Sequence, residues 1–240
     1  MSAIKGIPYK MLAGVVPCPG GWLVLPGRLA AVTVIVEEAL VLPTLMEVLD
    51  YKPKFDAAAI FAPVGFYDEP TEPYRPCDAE ARDMIGWPRL VAIRPVPSRQ
   101  ALRAPNRAAA LQLEPWLTKD DLRRFRWLKE AEQQFEPFHQ RNWFAAHPEL
   151  SMYMINGDRP VASSPYQHDG VLERLDLLRN KLPGVEDVIN ASPPAGAAQL
   201  HVIQAAALLW TARRASGRAV NRLPMDPNWD STGLRMELVR

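Results

Sequence analysis

Few residues in this chain have the types and spacing that chemistry requires. His147-Pro148-Glu149 has the form of the H-x-E half of a zinc deaminase, where the histidine ligates metal and the glutamate moves protons, but no P-C-x-x-C completes the ligand set. His139, His168 and His201 are scattered, and His201, at the start of an apolar stretch, reads as a hydrogen-bonded structural residue. Asp226, Asn228, Asp230 and Glu237 fall at the first, third, fifth and twelfth places of a calcium-loop pattern, yet Ser231 stands where that loop needs glycine. Neither G-x-x-x-x-G-K-[ST] nor G-x-S-x-G occurs, which argues against P-loop NTPase and nucleophile-elbow hydrolase chemistry. Cys18 and Cys77 are too few for a disulfide framework and form no C-x-x-C pair, so both read as buried thiols. Arg123, Arg124, Arg126 and Lys129 could form a basic strip on one helix, and Arg213, Arg214 and Arg218 another; a solvated face is the usual meaning of such strips.

The elements that would position these residues follow from periodicity. Apolar runs at 9–16 and 22–26 flank Pro17-Cys18-Pro19-Gly20-Gly21, and a β-branched run follows at 30–36, so three strands in an antiparallel meander are expected. Helical spacing of Leu40, Leu42, Leu45, Met46 and Leu49 predicts a crossover helix over 37–50, with Pro43 in its first turn. Residues 57–62 read as a buried strand. The rest is mostly helical: 78–86 with Asp78 as N-cap, 98–113 with Ser98 as N-cap, and a helix opened by a capping box at Thr118. Further helices are expected at 170–181 and 197–214, and a last strand at 234–239. The expected class is α/β, a mixed sheet flanked by helices, in one domain spanning 1–240 with a helical insertion around 98–140.

Composition bounds the function. The 28 Lys+Arg nearly cancel the 27 Asp+Glu, so there is no global field to hold a polyanion, which leaves room only for a local basic face. The 24 prolines imply long loops within the domain. The start MSAIKGIPYKML lacks a secretory pattern, and no apolar run approaches the roughly 20 residues that span a bilayer; the chain reads as cytoplasmic, with no membrane partner.

Several stretches carry a resemblance. Gly14-Val15-Val16-Pro17-Cys18-Pro19-Gly20-Gly21-Trp22 resembles the G-V-D-G-C-x-G-G-W opening of a bacterial family of unknown function, domain of unknown function family 429, whose members are described as predicted RNase H-like nucleases. Ile60 to Phe66 resembles its I-D-x-P-I-G-L strand end. Arg75-Pro76-Cys77-Asp78 through Arg82, with Pro97-Ser98-Arg99, is similar to its R-x-C-D-x-x-A-R and P-x-R elements. His147-Pro148-Glu149-Leu150-Ser151 resembles H-P-E-V-S-F, and Gly170 to Arg174 keeps G-x-x-E-R, although the lysines that usually precede that glycine are absent. The stretch from Gln199 resembles a helix usually beginning D-D-V-x-D-A, and the tail Asp230-Ser231-Thr232-Gly233 also fits.

The resemblance implies an RNase H-like fold and hydrolysis by two divalent ions about 4 Å apart. This chain departs from the pattern at the acids: Val16 and Phe61 replace two, and Leu200 or Gln199, His201 and Gln204 replace those of the late helix. Of the acids carried over, Glu149 alone survives, and magnesium is poorly held without carboxylates. The expectation is a non-catalytic member that binds a protein or nucleic-acid partner, with no cofactor and with the apolar replacements closing a core over a disused site. Arg82, Arg99, Glu149, Glu173 and Arg174 would line the old cleft or form a buried salt-bridge network in its walls. One rival is an active phosphodiesterase using magnesium or manganese, with Glu149 joined by Asp68, Asp78 or Asp169. Another is a structural subunit of a larger assembly, marked by a large exposed apolar patch.

Overall fold

A computed structural model describes residues 8–240; the N-terminal stretch lacking a secretory pattern begins in residues 1–7, outside the described residues. β1 (Tyr9–Cys18) and β2 (Gly21–Ala30) pair antiparallel through a tight Pro19-Gly20 turn, and β3 (Thr33–Val36) continues the meander. β4 (Leu40–Leu42) pairs with the other half of β2. The helix expected over 37–50 is therefore only α1 (Leu45–Leu49): Pro43 cannot continue a helix from a strand, and Thr44 starts a new one by accepting the Glu47 N–H. β5 (Ala57–Ile60) then pairs parallel with β1.

Between β5 and β6 (Trp143–Ala145) run α2 (Pro76–Ile85), α3 (Arg99–Leu102), α4 (Arg107–Leu113) and α5 (Lys119–Gln134). Two expectations are corrected here. The N-cap of α2 is Arg75, because Pro76 takes the first helical position, and Asp78 turns inward to Arg75 instead. The single helix expected over 98–113 breaks at Pro105 into α3 and α4, each with its own side-chain cap, Ser98 and Asn106. The capping box of Thr118 and Asp121 on α5 forms as the sequence indicates.

β6 pairs parallel with β5, completing the order β3-β2-β1-β5-β6 with β4 on β2: an antiparallel meander joined to parallel strands, the mixed α/β sheet expected. After it come α6 (Pro148–Ile155), α7 (His168–Arg179), α8 (Val185–Asn190) and α9 (Gln199–Ser216), then the hairpin β7 (Arg222–Trp229) and β8 (Arg235–Val239). α6, α8 and β7 carry no clear sequence signal; β7 contains Pro224 and Pro227, tolerated because its register with β8 is interrupted between Leu223 and Asn228.

Both faces of the sheet are covered. Met11, Ala13 and Val15 of β1 point into one core with α1, α2, α5 and the terminal hairpin, while Leu12, Val16 and Cys18 point into another with α6 to α9. That two-sided burial is why β1 reads as a continuous apolar run. α9 lies directly on β1 at Gly14, where an added Cβ would sit 1.8 Å from the Ala205 carbonyl oxygen. Among the described residues no helix is long and apolar enough to cross a membrane.

Candidate functional site

The parallel strands β1, β5 and β6 all end on one side of the sheet, the usual position of ligand sites in open α/β folds. A cleft of about 580 Å³ opens there, within the usual size of a small-molecule site. Its floor is apolar, built by Phe61, Ala62 and Pro63 after β5 and by Leu128 of α5. α6 and α9 reach it with their first turns, through Pro148 and Glu149 and through Leu200 and His201, so their positive dipole ends face the cavity. Arg89 and Val91 come from the short 3-10 turn Arg89–Ala92, and Tyr166, 84% exposed, stands at the mouth.

The positions at which the resemblance expects acids do converge on this region. Phe61, His201 and Gln204 line the cleft; Val16 is fully buried in the core beneath α9, and its neighbour Pro17 lines the wall instead. The expected closing of a core over the site is thus confined to Val16, because Phe61 packs against that core while leaving the cavity open.

The family-pattern residues are spent within the fold. Arg174, 1% exposed, directs Nε and Nη2 at both oxygens of Glu149 (3.2, 2.9 and 2.8 Å), and Nη1 at the carbonyls of Ser163 and Gly170 (3.0 and 2.9 Å), so all five donors are used. Gly170 makes this approach possible, since a Cβ there would lie 1.8 Å from the Ser164 carbonyl oxygen. Glu173 accepts the N–H groups of Ala162 and Ser163, anchoring the loop over which Arg174 reaches. G-x-x-E-R is therefore one clamp between α7, its preceding loop and α6. Of the five residues expected at the cleft, Glu149 alone lines it.

Arg99 lies elsewhere, binding Asp68, Glu132 and Asp230 and the carbonyl of Phe66. Burial would raise the Asp230 pKa, but the N–H of Leu234, the Thr232 hydroxyl and Arg99 together hold it below the usual carboxylate range. The calcium-like spacing at the tail is thereby explained as an Asp230 turn. Arg82 donates to the carbonyls of Leu90 and Ile93 and stacks on Tyr74 at 4.1 Å, fixing the turn that carries Arg89. Asp78 forms a two-point pair with buried Arg75, Asp68 accepts from Arg99 and Ser231, and Asp169 is exposed in the first turn of α7.

Histidines around the cleft act as neutral caps. His147 accepts the Glu149 N–H at Nδ1 (3.1 Å), which puts its proton on Nε2, facing the Ala92 carbonyl oxygen at 3.1 Å. Burial drives its pKa down to about 4. His201 accepts the Ala198 N–H at Nδ1, and burial lowers its pKa as well. Neither ring offers a free lone pair to a metal, and among the described residues no three His, Cys, Asp or Glu side chains gather to hold one.

These geometries accompany a sequence match over residues 14–228 to a family described as Protein of unknown function (DUF429). The chain belongs to DUF429. No curated protein and no solved structure matches it. The polar cleft residues that lie outside the stretches carrying the DUF429 resemblance are Arg89, Arg94, Asp120, Arg124 and Tyr166's neighbour Ser164. Only Arg124 carried a sequence signal, as part of the basic strip; Arg89 and Arg94 come from irregular chain with no periodicity to mark them.

Proposed function

We propose that this DUF429 chain is a non-catalytic member of its family that binds a protein or nucleic-acid partner through the cleft at the carboxyl ends of β1, β5 and β6. The observation that carries the reading is the state of Glu149: the one surviving acid among those the resemblance carries over as metal ligands has both oxygens occupied by Arg174. Two-metal hydrolysis needs free carboxylate oxygens facing both ions. Val16 and Phe61 offer no ligand atom, Gln204 offers a neutral carbonyl, and His201 spends Nδ1 on the backbone, so the donor set does not fit such a pair. The mixed strand order supports descent from an RNase H-like scaffold, and the open cleft supports retained binding.

The test is incubation of purified protein with labelled single- and double-stranded DNA and RNA, with magnesium, manganese or chelator. Binding without cleavage is the expected result for a nucleic-acid partner. Neither binding nor cleavage directs the search to a protein partner. Metal-dependent cleavage, lost in Glu149→Gln while the fold persists, would overturn the reading.

A further inference from the structure

Two arginines in the cleft have donors that the protein does not use. Arg124 is three-quarters buried on α5, yet donates no hydrogen bond to any described residue; its Nη1 is enclosed without a partner, and the nearest acid oxygen, Asp121 Oδ1, lies 3.6 Å away. Asp121 is already committed, accepting two-point bonds from Arg94 and both the N–H and hydroxyl of Thr118. Arg89, which lines the same cleft, reaches only the Ser163 carbonyl oxygen, at 3.5 Å, and its Nε is enclosed without a partner. Of the acids that line the same cavity, Glu149 is neutralised by buried Arg174, and Asp120 pairs with Arg123 at the exposed rim, where water screens its charge. Leaving guanidinium N–H groups enclosed and unpaired is costly, and burial correspondingly pulls the Arg124 pKa below its ordinary value.

Resting on the reading above that this cleft binds and does not cleave, we propose that what it grips on its partner is an oxyanion, a phosphate or carboxylate head held between Arg89 and Arg124 with the apolar or aromatic body that bears it on the Phe61, Pro63 and Leu128 floor. The guanidinium fork matches a planar or tetrahedral oxyanion by paired N–H bonds. The first turns of α6 and α9 add positive potential at the same place. The volume suits a molecule of drug size, and the floor gives affinity that a bare ion cannot draw on.

The experiment is calorimetric titration with inorganic phosphate, phenyl phosphate, benzoate and uncharged phenol, on wild type, Arg124→Gln and Arg89→Gln. The expected result is saturable binding of phenyl phosphate or benzoate, tighter than phosphate, none with phenol, and about tenfold weakening or more in each variant, equivalent to about 1.4 kcal/mol. Which of the two heads binds better identifies the source of the charge. Arg124→Gln should unfold at the same temperature as wild type or higher, since it removes an unpaired buried cation, so a loss of binding cannot be blamed on the fold. Absence of phenyl phosphate and benzoate binding, or binding indifferent to both substitutions, would overturn the proposal. If that outcome accompanies nucleic-acid binding without cleavage, the broader reading stands and this one alone fails; metal-dependent cleavage would instead remove the broader reading.

Discussion

Whether Glu149 is a structural clamp or a reactive acid can be decided by a double-mutant cycle with Arg174. Glu149→Gln keeps the shape of the side chain but leaves the Arg174 cation, 1% exposed, without its counter-charge. Breaking a buried pair in this way costs about 3–5 kcal/mol. Arg174→Met should be as costly, since it leaves a buried carboxylate unpaired and also removes the donors to Ser163 and Gly170, each orphaned carbonyl adding roughly 1 kcal/mol. Combining Arg174→Met with Glu149→Leu removes both charges together, so the double variant should be less destabilised than the sum of the Arg174→Met and Glu149→Leu effects by about 2–3 kcal/mol. The assay is urea unfolding at pH 7 with linear extrapolation, each variant checked for an unchanged slope. If either single substitution costs less than about 1 kcal/mol, or if the effects simply add, the carboxylate is not held as described and a free acid at position 149 becomes the better account. The same numbers require that Glu149→Gln be shown folded under the assay conditions before it serves as a control for cleavage, because a variant this destabilised can lose activity by unfolding.

Other expectations are equally direct. His147 is neutral in the fold with a pKa of about 4 against 6.5 when unfolded, so the unfolded chain binds the extra proton between those values and stability must fall as pH drops through that window, by roughly 3 kcal/mol in all. Urea midpoints from pH 7 to 4 should show that loss in wild type, and His147→Asn should show less of it. Gly14→Ala forces a methyl against the α9 backbone, with Leu209 N at 2.5 Å as well as Ala205 O, and should cost about 3 kcal/mol or more, whereas Gly184→Ala, with open space but a φ of +81°, should cost about 1 kcal/mol; thermal unfolding separates the two. Val16→Asp places an unpaired carboxyl in a fully buried position and should cost more than about 3 kcal/mol, while Phe61→Asp, at the cleft, should fold and weaken oxyanion binding by neutralising Arg124 or Arg89; unfolding and titration curves of each read these out.

The sequence made the strands legible where β1, β2 and β5 are dense apolar runs bounded by turn residues and where β8 alternates polar and apolar side chains. It misled where a local signal competed with proline: the spacing of Leu40 to Leu49 is helical, but Pro43 splits it into a strand and a short helix, and Pro105 splits 98–113 in the same way. β7 was illegible because its pairing survives two prolines through a register break that only β8 reveals. At the site, motif spacing marked residues that matter, but not how they act. Arg99 and Arg174 share the same motif status, yet one ties the tail to α3 and the other ties α7 to α6; only tertiary contact distinguishes a wall from an opening. Arg89 and Arg94 were invisible for the opposite reason, since irregular chain gives no periodicity from which to infer the direction of a side chain.

A change of ligand preference follows from the charges once the clamps are set aside. On the proposed descent, acids at positions 16 and 61 and on α9 would have offset the guanidinium groups of Arg89 and Arg124 and the dipole ends of α6 and α9, leaving a cavity that prefers cations. With Val16, Phe61 and Gln204 at those positions this chain has no such negative charge, while its positive charge is held in place, Arg124 on a helix fixed by its own capping box and Arg89 on a turn fixed by Arg82. On the proposed reading no rearrangement of the fold is needed for the preference to invert, because the walls that would hold metal between carboxylates carry guanidinium groups with uncommitted donors above an apolar floor. On that proposal, loss of one chemistry and gain of the opposite affinity would be a single consequence of the side chains at a few positions in a rigid frame.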